Sequence, residues 1–110
     1  MNFSLAGDGD VTVVEVNGEL IVGNRQELKS RVLERLEDGE RKFLIDFAES
    51  SYIDSSGLGV LVSLSKKIRE AGGDLRLAGL NEDLRTLFEL TKLDTLFQIS
   101  DSRAAALEEF

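Results

Sequence analysis

The chain has 110 residues, 42% of them apolar, and a formal charge of −8 from 13 basic and 21 acidic side chains. That length supports one hydrophobic core and not two, so a single domain over residues 1–110 is expected. With neither Cys nor His, the chain has no disulfides, thiol nucleophiles or Ser-His-Asp triads, and almost no means of holding zinc, copper or haem.

The acidic balance repels phosphate backbones and argues against nucleic acid as a partner. No apolar run approaches a membrane span, and no basic-then-apolar leader opens the chain, so a cytoplasmic protein is expected. Phe3 and Leu5 alternate with polar residues, Gly7-Asp8-Gly9-Asp10 reads as a turn, and Val11 to Val16 is a β-branched run. Asp-Gly between two such runs signals a hairpin. Asn17-Gly18 is a second turn, leading into a short Glu19-Leu20-Ile21 segment.

From Gln26 to Glu37 the spacing of Leu28, Val32, Leu33 and Leu36 predicts a helix, with Asn24 as N-cap and Gly39 as stop. Lys42 to Phe47 predicts a buried strand. A second helix is predicted from Ser56 to Ala71, with Leu58, Leu61, Val62, Ser65 and Ile68 inward and Gly72-Gly73 ending it. Asp74 to Ala78 predicts another strand. Asn81 or Glu82 starts a third helix carrying Leu84, Leu87 and Phe88. Leu93, Leu96, Phe97 and Ile99 form a last apolar segment, and Asp101 or Ser102 caps a final helix through Leu107.

The expected fold class is therefore α/β: an initial antiparallel hairpin, then strands alternating with helices in parallel pairs, about four helices in all. Ligands of open α/β sheets bind beyond the carboxyl ends of strands. Asp54-Ser55-Ser56 lies at such an end, after the Lys42–Phe47 strand and its extension. Ile21-Val22-Gly23-Asn24 lies at another and is expected nearby. Asp46, in its strand, is expected to face solvent or a turn.

In Asp54-Ser55-Ser56-Gly57-Leu58-Gly59 one of the first three residues caps the second helix. Two glycines in a first turn cost helix stability, which a close approach of backbone or ligand must offset. Leu58 either packs inward or anchors a partner. Gly57-x-Gly59 lacks a third glycine at Val62, so the dinucleotide fingerprint fails. A nucleophile elbow needs glycine two residues before the serine, where Ser55 has Ile53. No catalytic residue, metal ligand set or cofactor is expected.

These residues also carry a resemblance. Gly18-Glu19-Leu20, Phe43-Leu44-Ile45-Asp46-Phe47, Tyr52-Ile53-Asp54-Ser55-Ser56-Gly57-Leu58-Gly59-Val60-Leu61, Ala71-Gly72-Gly73 and Leu87-Phe88-Glu89-Leu90-Thr91-Lys92-Leu93-Asp94-Thr95-Leu96-Phe97 follow one another along the chain. In that order they resemble the bacterial anti-sigma factor antagonists, the single-domain form of the STAS family. The resemblance implies a partner-switching cycle. Ser55 would be phosphorylated by an anti-sigma factor that is itself a serine kinase. The unmodified protein would bind that factor and free the sigma factor, and a PP2C-type phosphatase would restore the serine. It implies a partner-binding set of Ile21, Asn24, Asp54, Ser55, Ser56, Gly57, Leu58 and Gly59. The family often places an acidic residue directly after Gly-x-Leu, where this chain has Ile21. That departure leaves open a constitutive STAS scaffold, or a nucleotide- or anion-binding module, that phosphorylation does not regulate.

Overall fold

The structure, a computed structural model, describes residues 3–110. Strand β1 (Phe3–Asp8) turns through Gly9-Asp10 into the β-branched β2 (Val11–Val16), pairing antiparallel from Phe3↔Val16 to Asp8↔Val11. The rest of the main sheet is parallel: β4 (Lys42–Asp46), β6 (Asp74–Ala78) and β7 (Ile99–Ser100), in the spatial order β1-β2-β4-β6-β7. Two further strands, β3 (Gly18–Leu20) and β5 (Ser50–Ile53), pair parallel as a separate two-stranded sheet. Helices α1 (Arg25–Glu37), α2 (Ser55–Glu70) and α3 (Glu82–Leu90) follow β3, β5 and β6, and α4 (Arg103–Glu109) closes the chain.

The period-two alternation of strands sorts the core into two faces. Val14, Val16, Phe43, Ile45, Leu75 and Leu77 point to one side, where they pack with Leu28 and Val32 of α1, Leu61, Leu64 and Ile68 of α2, and Leu84 and Phe88 of α3. Each such aliphatic or aromatic side chain contributes about 1.5–3 kcal/mol by leaving water. The intervening Val11, Val13, Leu44 and Ala78 point to the other side, where Ala106 of α4 covers them. After α2, Gly73 passes close to the residue that leads into β4: a Cβ there would lie 2.3 Å from the Arg41 carbonyl oxygen, so only glycine fits.

The expected mixed sheet, hairpin and four helices are present, and three details differ from the sequence expectations. The segment after Phe47 is not an extension of β4 but a strand of its own, β5, paired with β3. Each is four residues or fewer, too short to show a period, and each finds its partner about thirty positions away. The last apolar segment contains a 3₁₀ turn (Leu93–Thr95) and then β7, which extends the main sheet. Val62 is not inward but 38% exposed; Val60 and Leu64 are buried in its stead.

Asp46 is buried and does not face solvent; it faces the turn after β4, one of the two expected settings, and also α4. The alternation that places Ile45 in the main core turns Asp46 toward α4. There Arg103 Nε donates to its Oδ2 at 3.0 Å, and the Ala48 N–H donates to Oδ1 at 3.0 Å. Arg103 Nη2 also reaches Glu15 Oε1 at 2.9 Å, so the first residue of α4 ties the tail helix to β2 and β4 together.

Among the described residues Ser65 carries the one fully buried side-chain polar atom without a hydrogen-bond partner. A hydroxyl in that position forfeits its bonds to water without replacement. Ser65→Ala is therefore expected to raise stability by about 0.5–1.5 kcal/mol, seen as a higher urea midpoint with an unchanged slope; a lower midpoint would show that Ser65 has a partner.

Candidate functional site

Strands β3 and β5 end side by side, and both chains then turn into helices. Asp54 is the N-cap of α2. Its backbone N–H donates to the Leu20 carbonyl at 3.1 Å, which carries the β3–β5 pairing one step past the strands. Its carboxylate does three further things. Oδ1 accepts from the Gly57 N–H at 2.8 Å and from the Ser56 hydroxyl at 3.0 Å, and Oδ2 accepts from the Val22 N–H at 3.0 Å. One side chain thus caps the helix, holds the second serine and fastens the loop that follows β3.

Asn24 fastens the same loop from its other end. It stands at the N-cap of α1, yet its side chain makes no capping bond. Instead Oδ1 accepts from the Ile21 N–H at 2.9 Å, and Nδ2 donates to the Glu19 carbonyl at 2.7 Å. The Ile21 carbonyl in turn accepts from the N–H groups of Asn24 and Arg25. Ile21 is half-buried, just past the end of β3 and not within it, and the Val22 side chain is 65% exposed.

The two serines are not equivalent. Ser56 is half-buried and its hydroxyl is engaged by Asp54. Ser55, the first residue of α2, is exposed, and its hydroxyl makes no hydrogen bond among the described residues. The two glycines differ as sharply. A Cβ on Gly57 would lie 2.6 Å from the Leu20 carbonyl oxygen and 2.9 Å from Ile53 Cγ2, so its bareness lets α2 sit against β3 and β5. A Cβ on Gly59 would meet nothing within 4 Å. The expectation that both glycines answer to a close approach holds inside the fold for Gly57 alone. Gly59 lies one helical turn beyond Ser55 on the same exposed face.

Leu58 is 8% exposed and belongs to the core, but it also forms part of a groove of about 450 Å³. Ser51, Tyr52 and Ile53 of β5, Asp54, Ser55, and Asp83, Leu84, Leu87 and Thr91 complete the lining. The α3 wall escapes a reading of the sequence because its leucine spacing looks like core packing alone. Tyr52 stands in the segment next to Asp54 and is 53% exposed. Arg25 begins α1 as an exposed side chain. Among the described residues no group of three or more Asp or Glu is placed to hold a metal ion, and no helix is long and apolar enough to cross a membrane.

The Asp54 carboxyl lies below its ordinary pKa of 3.8, first because the Gly57 N–H bonds to the charged form, with Val22 and Ser56 adding to it. A depressed folded-state pKa contributes stability that is complete above the unfolded value and is lost as pH falls through the folded value. Wild-type protein is thus expected to lose stability as pH drops below about 4, and Asp54→Asn to show a shallower loss over that window in urea melts. Equal slopes for the two proteins would show that Asp54 is not stabilised in the fold. Gly57→Ala is expected to cost about 1–3 kcal/mol through overpacking, whereas Gly59→Ala is expected to gain up to about 1 kcal/mol of helix propensity, both read from unfolding midpoints.

The STAS domain family model matches residues 2–106. The anti-sigma-B factor antagonist of Staphylococcus aureus is 32% identical over 88 residues, covering 80% of this chain and 82% of that protein. The Thermotoga maritima protein TM1081 superposes with a TM-score of 0.92 at 32% identity, covering 97% of this chain and 92% of that one. The anti-sigma factor antagonist SpoIIAA in its unphosphorylated form shares the fold at a TM-score of 0.77 and 17% identity, over 97% of this chain and 94% of its own. With a family match that spans nearly the whole chain, and relatives named as anti-sigma factor antagonists, this protein belongs to the STAS domain family.

Proposed function

We propose that this protein is a phosphorylation-controlled anti-sigma factor antagonist. Its unmodified form binds a cognate anti-sigma factor with serine kinase activity and releases the sigma factor, phosphorylation of Ser55 blocks that binding, and a PP2C-type phosphatase reverses it. In this cycle the protein is a substrate and a binder rather than a catalyst. The observation that carries the reading is the inequality of the serines: Ser55 offers a free, exposed hydroxyl at the start of α2, while Ser56 is bonded to Asp54.

The site suits a switch that leaves the fold alone. A phosphate on the first residue of a helix lies at the positive end of the helix dipole. Bacillus SpoIIAA in its phosphorylated form matches this fold at the same TM-score of 0.77 as the unmodified form, so that fold persists with the group attached. The added charge of about −1.5 to −2 then acts on the interface. Burying it under a partner at a cost of ~3 kcal/mol weakens binding roughly 100-fold.

The partner-binding set is Ile21, Asn24, Asp54, Ser55, Ser56, Gly57, Leu58 and Gly59, in two roles. Asn24, Asp54, Ser56 and Gly57 build the platform through bonds and packing within the fold. Ile21, Ser55, Leu58 and Gly59 lie on or beside the face it presents. Exposed large apolar residues support the same face. Among the described residues these are Val22, Tyr52, Val62 and Leu90. Val22 is bonded to Asp54, Tyr52 lines the groove with Ser55, Val62 lies two helical turns from Ser55, and Leu90 precedes groove-lining Thr91. Apolar residues gathered on one face mark an interaction surface.

Phosphopeptide mapping of the protein from its own cells is expected to find the modification on Ser55. Ser55→Ala should abolish it and retain binding of the anti-sigma factor, and Ser55→Asp should weaken that binding at least tenfold, roughly 1.4 kcal/mol. A protein unmodified across growth and stress conditions, with Ser55→Asp binding as wild type, would instead favour a constitutive scaffold.

A further inference from the structure

We infer that the groove beside Ser55 seats an amphipathic helix of the partner, with a leucine-type apolar stripe and Lys or Arg along the border that faces α3. This deepens the reading of the site as a partner-binding face and rests on it. The groove volume of about 450 Å³ suits a few anchoring side chains. Its apolar lining comes from Tyr52, Ile53, Leu58, Leu84 and Leu87. One wall is α3, which presents Leu84 and Leu87 with Thr91 at its C-cap, and a further helix packs such ridges into its own grooves.

Charge selects the occupant. The lining holds two carboxylates, Asp54 and Asp83, and no cation. Asp54 is committed to the Val22, Gly57 and Ser56 donors. Asp83 and its neighbour Glu82 are exposed, and neither joins an ion pair among the described residues. The negative potential that a partner meets is therefore on the α3 side, and a basic border belongs there. Over Ser55 and Leu58 the occupant is apolar. A phosphate on Ser55 would be covered by that apolar stripe without a counter-ion, which disfavours the bound state by desolvation.

The test is a titration of isotope-labelled unmodified protein with two designed helical peptides, followed by amide chemical shifts. Both peptides carry a leucine stripe; one has Lys and the other Glu along its border. The Lys peptide is expected to shift the amides of Tyr52, Ser55, Leu84, Leu87 and Thr91 and to bind about tenfold tighter or more than the Glu peptide. Asp83→Asn and Tyr52→Ala should each weaken the Lys peptide about threefold or more. Asp8→Asn removes the same charge from the hairpin tip at the far end of the sheet and should change nothing. Equal binding of both peptides, equal effects of Asp83→Asn and Asp8→Asn, or shifts scattered over the surface would overturn the inference and leave only attraction to the net charge. The titration involves no phosphorylation. Its failure leaves the Ser55 switch standing, and an unmodified Ser55 in cells leaves the groove standing.

Discussion

The carboxylate of Asp54 is the joint on which this site depends. Two strands that belong to their own small sheet end next to each other, and each must hand its chain to a helix. The junction leaves polar groups that need partners: the first N–H groups of α2, the N–H groups of the loop after β3, and two serine hydroxyls. Asp54 answers three of them with its two oxygens, and its own N–H donates to the Leu20 carbonyl. The charged form is favoured by every one of its donors, consistent with its lowered pKa. Because the loop from Ile21 to Asn24 is fastened by Asp54 at Val22 and by Asn24 at Ile21, the surface around Ser55 is held in one arrangement before any partner arrives. A preorganised surface binds without the cost of ordering it.

Helix α2 transmits that rigidity to the rest of the molecule. Leu58, Val60, Leu61, Leu64 and Ile68 are buried along its length, and Gly57 allows its first turn to touch β3 and β5. A helix whose buried face runs its whole length has little room to shift when its first residue changes. The exposed face, which carries Ser55, Gly59, Val62 and Lys66, remains available. In the proposed switch, a phosphate on Ser55 therefore alters what a partner meets, while the core beneath is unaffected. The tail helix does comparable work on the other face, where Arg103 joins Asp46 and Glu15 across two strands.

Much of this was legible from residues alone, for identifiable reasons. Val11–Val16, Lys42–Phe47 and Asp74–Ala78 read as short strands with clear boundaries, and Gly39 and Gly72-Gly73 mark helix ends. A cap from among Asp54, Ser55 and Ser56 followed from residue type, and the nearness of the Ile21–Asn24 loop followed from strand ends in an α/β order; which of the three caps did not. What escaped depends on contacts far apart in the chain. Strand β5 exists because β3 lies beside it, and neither is long enough to declare itself. Asp46 is buried because the strand alternation aims it at Arg103, 57 positions away. Asn24 was expected to cap α1, and its type is right for a cap, but the side chain is taken by the turn behind it. The groove escaped because its α3 wall uses leucines whose spacing reads equally well as core.

The resemblance places an acid where this chain has Ile21. What the fold uses at this position is main chain: the N–H bonded to Asn24 Oδ1 and the carbonyl that accepts from Asn24 and Arg25. Those bonds are indifferent to the side chain, so an isoleucine supports the same latch as the acid that the family often carries. Nothing in the Asp54 network calls for a second carboxylate there either, since its three side-chain bonds come from Val22, Ser56 and Gly57. The consequence of Ile21 thus falls outside the fold, on whatever packs against the loop. Beside exposed Val22, an apolar residue in place of a charge extends the apolar border of the face and removes a point of charge recognition. On the proposed reading of this face as partner-binding, Ile21 acts on which partner is chosen and leaves the Ser55 platform as it is.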